Sequence, residues 1–191
     1  VSEKALEHLG KPDAKLITIH LGNGCSMAAI KAGKAIDTSM GFGPANGLIM
    51  GTRAGDIDQS VIFYMQEQLG YSVKEVSDIL LKQSGMLGLT GYSDLRDIEA
   101  AAAEGDEVCG LALEMNAYRI RKFIGAYTAA LNGVDAIVFT AGIGENSSTI
   151  RSKVCKEMEY IGIELDESLN GQRSKKLREI QSAFSKVKVM V

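Results

Sequence analysis

Histidine is nearly missing from this chain. His8 and His20 are the only two, and neither has a cysteine or carboxylate at metal-ligand spacing, which removes the common zinc sites. Cysteine is scarce as well. Cys25, Cys109 and Cys155 are odd in number and widely separated, so no disulfide framework follows and a reducing cytoplasm is the expected compartment. Proline occurs only at Pro12 and Pro44, and there is no Pro-rich linker, repeat or low-complexity segment. No apolar run approaches the ~20 residues that a bilayer-spanning helix needs. The opening VSEKALEHLGKPD has no signal-peptide pattern. An excess of one charge is lacking too: the formal net charge of −3 sets up no field that would favour nucleic acid or an acidic membrane. The basic tail (Arg173, Lys175, Lys176, Arg178, Lys186, Lys188) has no interleaved aromatics apart from Phe184, the pattern of a solvated face. Neither the G-K-[ST] of a Walker loop nor the G-x-S-x-G of a serine hydrolase occurs.

What remains is an ordinary globular composition: 191 residues, 46% hydrophobic and 24% charged, enough for one good core or two small ones. KLITIH (15–20), CSMAAIK (25–31) and KAIDTSM (34–40) read as three short strands. The turns Gly22-Asn23-Gly24 and Ala32-Gly33 tolerate positive φ, so an antiparallel meander is expected. Helices follow. Asp56 or Asp58 can cap one that runs to Gly70, with Val61, Ile62, Met65 and Leu69 on its apolar face. SVKE (72–75) is a capping box for a helix ending near Gly85. SDLRDIEAAAAEG (93–105) is a capped helix stopped by Gly105. A long helix is expected from about Asp106 to Leu131, with Leu111, Met115, Tyr118, Phe123 and Tyr127 as buried candidates and Asn132-Gly133 ending it. A buried strand over 134–139 and a helix from about Asn146 to Met158 come next, with YIGIEL (160–165) and KVKVMV (186–191) as last strands. Antiparallel strands first, then strands alternating with helices, imply a mixed α/β sheet. The missing initiator Met and the final strand pattern at the very end lead us to expect a piece of something longer.

Four stretches carry candidate chemistry. FTAGIGENSS (139–148) reads as strand, tight turn and helix start. Glycines there allow close backbone approach and a helix start offers free N–H groups, so a nucleotide could sit on it. Ser147 stands where a dinucleotide fingerprint needs a third glycine, and a plain strand–turn–helix corner explains the same residues. HLGNG (20–24) is a hairpin tip, or a nest of N–H groups for phosphate. MGTRAGDID (50–58) sets Arg53 between Gly51 and Gly55. That suits a guanidinium gripping phosphate or carboxylate with two N–H groups, or an ion pair with Asp56 or Asp58. SDLRD (93–97) places Asp94 and Arg96 at a helix N-terminus, where an acidic residue suits the helix dipole and a ribose or phosphate contact is the other reading.

Taken together and in order, HLGNGCS, DTSMGF, GLIMGTRAGDID, SGMLGLTGYSDLRD, FIGAYTAALNGVDAIVFTAGIGENSSTIR and GIELD closely resemble acetate kinase, from about Lys11 to the end. The resemblance implies the fold of the sugar kinase, Hsp70 and actin superfamily: an actin-like (ribonuclease H-like) α/β domain with three antiparallel strands, then βα units, flanked by helices. It implies phosphoryl transfer between ATP and acetate, giving acetyl phosphate and ADP, with Mg²⁺, in a cytoplasmic homodimer. By resemblance, Arg53 is the catalytic arginine that steadies the transferring phosphoryl. His20, Leu21, Gly22, Asn23 and Gly24 face phosphate. Asp94, Leu95 and Arg96 lie near ribose and adenine, with Leu95 standing where family members carry Phe. Gly142, Ile143, Gly144, Glu145 and Asn146 form the adenosine turn. The family's magnesium-side Asn and Glu, its acetate-gripping Arg and the His of its FHGTSH motif match nothing here. Residues 1–191 are therefore expected to be the nucleotide-binding C-terminal domain, cut short, inactive alone, with the Mg²⁺ ligands elsewhere. A propionate or butyrate kinase shares much of this pattern. A non-catalytic nucleotide switch of the Hsp70 or actin type shares the glycine turns but not MGTRAGDID.

Overall fold

The structure, a computed structural model, describes residues 1–191. Its strands are β1 (Lys15–Leu21), β2 (Cys25–Lys31), β3 (Lys34–Thr38), β4 (Ala136–Thr140) and β5 (Lys188–Met190). Its helices are α1 (Ser2–Leu9), α2 (Ser60–Glu67), α3 (Val73–Lys82), α4 (Gly85–Thr90), α5 (Leu95–Ala103), α6 (Glu107–Leu131), α7 (Ala141–Asn146), α8 (Ser148–Cys155) and α9 (Glu167–Gly171). The chain forms two compact units, one of Val1–Gly22, Ser26–Ser39 and Ala117–Val191, the other of Asn23–Cys25 and Met40–Asn116.

The first unit holds a five-stranded sheet in the order β3-β2-β1-β4-β5. β1 and β2 are joined by three residues, a link that only antiparallel neighbours allow. β2 and β3 pair antiparallel with a register shift between Ala29 and Ile30, and β3 is an edge strand exposed along its whole length. β4 pairs parallel with both β1 and β5, with His20 opposite Thr140 at the end of the β1 ladder. AIVFT has no polar alternation because both faces of β4 are covered, as is usual for a parallel strand. On one face Leu16, Ile30, Ala136, Val138 and Met190 join Ala5 of α1 in a single apolar cluster. Each fully buried Ile or Leu of this kind stabilises by about 1.5–3 kcal/mol.

The second unit is helices and loops. α3 carries the expected capping box: Glu75 N donates to Ser72 Oγ at 3.3 Å, and Ser72 N to Glu75 Oε2 at 2.8 Å. α5 is capped by Asp94, whose Oδ1 accepts from Arg96 N at 2.9 Å.

Several expectations need correction. α2 runs Ser60–Glu67, short of the expected Gly70, and Gln59 rather than Asp56 or Asp58 stands at its cap position. Asp56 instead accepts from Gly47 N at 2.7 Å, and Asp58 holds Ser60 N at 2.9 Å. Val61 and Leu69 are exposed, and α2 buries no residue. α6 turns a different face inward. Cys109, Ala112, Leu113, Asn116, Ala117, Ile120, Ile124, Tyr127 and Leu131 are buried, while Leu111 (62% exposed), Met115 and Tyr118 (59%) point out. The inward face mixes small residues (Cys109, Ala112, Ala117) with large ones (Leu113, Ile120, Ile124), and of the expected candidates Tyr127 lies on it. YIGIEL forms no sheet strand: Glu159–Ile161 is a turn of 3₁₀ helix, and Leu165 makes one isolated antiparallel bridge with Gln181. No helix is long and apolar enough to cross a membrane.

Candidate functional site

In the sheet-bearing unit, the ends of β1 and β4 bring two candidate segments side by side. His20 is exposed, and its Nδ1 lies 3.2 Å from Thr140 Oγ1. Leu21 is buried and Gly22 half-buried. One residue beyond Thr140 the chain turns into α7. The expected open turn over Gly142–Gly144 is itself helical, and the left-handed residue is Ala141 (φ 67) rather than either glycine. The glycines serve separate ends. Gly142 has open space where a Cβ would stand. Gly144 packs down on the sheet, its Cβ position 3.4 Å from Phe139 C and 3.7 Å from Ile19 O. Asn146 Nδ2 donates to Gly142 O at 2.8 Å, which fixes the amide, and Glu145 and Asn146 are exposed.

In the second unit, three candidate segments meet at Gly51. Its N–H donates to Asn23 O at 3.0 Å, and a Cβ there would run into Asn23 Oδ1 and sit 3.2 Å from Ser93 O. The hairpin tip, the Arg53 loop and the start of α5 therefore converge on a point where only glycine fits. Gly24 is in the same place, its Cβ position 3.6 Å from Arg53 Nη1. Arg53 is half-buried. Its Nη1 donates to Pro44 O at 2.9 Å and lies 3.6 Å from Met50 Sδ. The ion pair with Asp56 or Asp58 considered from the sequence is not formed; the guanidinium rests on a carbonyl.

The backbone around Arg53 is stitched down. Met50 N donates to Arg53 O at 3.1 Å, Ala54 N to Leu80 O at 3.0 Å, and Ser84 N to Thr52 O at 3.0 Å. The first free N–H groups of α4 complete it, Met86 N reaching Met50 O and Leu87 N reaching Gly51 O, both at 2.9 Å. Gly85 makes this possible. It has φ 62, and a Cβ would strike Met50 O and lie 2.6 Å from Arg53 O.

Asp94 and Arg96 form their own pair, with Arg96 Nε 3.0 Å from Asp94 Oδ1. The Arg96 guanidinium and backbone N–H hold the Asp94 carboxyl down to about 2. Leu95 between them is buried.

Patterning of the sequence gave no hint of Arg151 and Asn170, which are 1% and 0% exposed. Arg151 Nη1 donates to Gly144 O (2.8 Å) and Glu145 O (3.0 Å), while Nε and Nη2 reach Asn170 Oδ1 and O, both at 2.7 Å. An arginine on a short helix reads as solvated, and nothing local marks it otherwise. The three cysteines are free and buried, and burial pushes the Cys109 and Cys155 thiols up, away from the reactive thiolate.

Comparison with known proteins gives one consistent answer. A family model described as "Acetokinase family" matches residues 1–191. The acetate kinase of Flavobacterium johnsoniae is 70% identical over 191 residues, which is 100% of this chain and 48% of that protein. That of Carboxydothermus hydrogenoformans is 57% identical over 193 residues, with the same shares of 100% and 48%. Among solved structures, Porphyromonas gingivalis acetate kinase superposes with a TM-score of 0.94 at 48% identity, covering 99% of this chain and 48% of that one. A propionate kinase from Francisella tularensis gives 0.93 at 42% identity, again covering 99% and 48%. The chain spans about half the length of the relatives it matches.

Proposed function

The chain belongs to the acetokinase family, and from that premise we propose that the complete protein carrying it transfers a phosphoryl group between ATP and acetate. An acetate oxygen attacks the γ-phosphorus, the bond from phosphorus to the ADP oxygen breaks with its electron pair going to ADP, and acetyl phosphate forms. The observation that carries this reading is the clamped loop of Arg53. Its backbone is fixed on both sides, and its guanidinium rests on Pro44 O beside the Gly24 end of the hairpin. The group in flight is metaphosphate-like, with charge on its equatorial oxygens. A guanidinium already held in place stabilises that charge without reorganising, an effect on the order of 3–5 kcal/mol.

The remaining candidates take binding roles in this reading. The HLGNG tip faces phosphate, Asp94 to Arg96 lie by the ribose and base, and α7 presents Gly142 to Asn146 to adenosine. For Mg²⁺, no group of three or more His, Cys, Asp or Glu side chains is gathered that could hold a metal ion. The reading extends to a cytoplasmic homodimer. Support for the dimer is the exposed stripe Val108, Leu111, Met115 and Tyr118 on α6, spaced as one seam of a coiled coil; a monomer in sedimentation equilibrium at micromolar concentration would remove it.

The test is formation of acetyl phosphate by the full-length protein from ATP and acetate, with propionate and butyrate as competing acceptors. Turnover with acetate at the highest kcat/KM is expected, and the isolated 191-residue chain is expected to be silent. Preference for propionate or butyrate would move the assignment to that kinase. No transfer to any of the three acids would overturn it.

A further inference from the structure

α7 and α8 look like one helix that has been cut. In an unbroken helix the N–H groups of residues 148 and 149 would bond the carbonyls of Gly144 and Glu145. Ser147, extended at φ −92 and ψ 99, breaks the run, and α8 restarts with the Ser147 side chain as its cap. Two carbonyls in the last turn of α7 lose their donors. Arg151 replaces them: its Nη1 donates to both Gly144 O and Glu145 O. A cation at a helix C-terminus also suits the dipole. The same guanidinium caps a second helix end, donating through Nη2 to Asn170 O in the last turn of α9.

Asn170 holds the arginine from the far side. Its Oδ1 accepts from Arg151 Nε, and its Nδ2 donates to Ser148 O (3.0 Å), Ser152 Oγ (2.9 Å) and Glu167 Oε2 (2.9 Å). Both ends of the amide are thus engaged. The result is a buried pin beneath α7, whose other side carries the exposed Gly142, Glu145 and Asn146.

We infer that Arg151 and Asn170 are positioning residues for the nucleotide, setting the α7 segment through Gly144 and Glu145 without touching ligand themselves. The inference rests on the proposed role of Gly142–Asn146. Its reach is specific: a loosened α7 weakens nucleotide binding and leaves the acyl acceptor alone.

The experiment uses the full-length protein, its Arg151→Lys form and its Asn170→Ala form. The measurements are kcat, KM for ATP, KM for acetate and calorimetric affinity for Mg–ADP. Arg151→Lys loses the fork and is expected to raise KM for ATP and Kd for ADP tenfold or more, with kcat within threefold and KM for acetate within twofold. Asn170→Ala leaves Arg151 three of these four bonds, so a three- to fivefold rise is expected. A purely structural role gives the other signature, less active protein and lower apparent kcat with both KM values unmoved. That outcome, or ADP affinity within twofold of the parent in Asn170→Ala, overturns the inference. If Arg151→Lys fails to fold, Asn170→Ala decides alone. The parent separates the two readings. A parent that binds ADP but does not phosphorylate acetate refutes the proposed reaction and leaves the ADP comparison to judge Arg151 and Asn170. A parent that binds no ADP refutes both.

Discussion

The Arg53 loop and the α7 segment are both short, glycine-containing and half-exposed, yet they are held in opposite ways. The Arg53 loop is fixed by backbone: Met50, Thr52, Arg53 and Ala54 all bond main-chain groups, and Gly51 and Gly85 leave the room for it. α7 is fixed by one buried side chain, with Arg151 supplying the donors that a broken helix lacks. The two devices respond differently to change. A backbone clamp ignores most side-chain substitutions and fails abruptly when a Cβ is forced in. A side-chain pin can be weakened by degrees, one hydrogen bond at a time. The rigid device surrounds the residue assigned to chemistry, and the tunable one lies beneath the segment assigned to binding.

Three substitutions sharpen that contrast. The largest effect is expected from Arg53→Lys, which keeps the charge but loses the planar fork. Turnover should fall by about 10²–10³-fold, with ADP affinity within a few-fold of the parent; near-normal turnover would sink the catalytic assignment. Next comes Gly85→Ala. A left-handed alanine costs about 1–2 kcal/mol, and the clash with Met50 O and Arg53 O adds to it, so a total loss of about 2–4 kcal/mol is expected in denaturant unfolding. Tolerance of this change would show that the backbone clamp is looser than its contacts imply. The smallest effect concerns Asp94. Its carboxyl is held down to about 2 in the folded protein, so the stability it contributes is present above the ordinary carboxylate range and fades as pH falls through that range toward 2. The urea midpoint of Asp94→Asn should lie below that of the parent at pH 6 and converge on it by about pH 2. A gap that persists unchanged to pH 2 would assign the cap to something other than this charge.

Much of the sheet was legible because its signals are local. Ala32-Gly33 turns β2 into β3 with both residues at positive φ, Gly22-Asn23-Gly24 turns β1 into β2 without any positive φ, and the uninterrupted AIVFT run marks a strand covered on both faces. The candidate segments were legible as motifs, though not their internal geometry. The α7 turn read as a loop because glycine pairs break helices, whereas Gly144 is there to let α7 lie close on Phe139. YIGIEL has strand alternation, but a strand needs a neighbour, and sequence does not report who is adjacent. In α6 the expected burial holds at Tyr127 and fails at Leu111, Met115 and Tyr118, because Ala112 and Ala117, which carry little weight in a hydrophobic count, lie on the buried face. Arg151 has no local signature in the sequence. Its burial is repaid by oxygens on Gly144, Glu145 and Asn170, and that kind of long-range satisfaction leaves no periodic trace.

Ala141 joins β4 to α7 in the left-handed region, where an alanine is strained by about 1–2 kcal/mol. A glycine would relieve that strain but would carry about 0.5–1 kcal/mol more unfolded-chain entropy to lose on folding. The second term offsets about half of the first, leaving glycine ahead by roughly 1 kcal/mol at most. The two residues differ in stiffness. Glycine would let the corner swing among several backbone states, whereas alanine confines it to a narrow basin that only the surrounding sheet can impose. The direction in which α7 leaves the sheet is thus set at the hinge as well as beneath it.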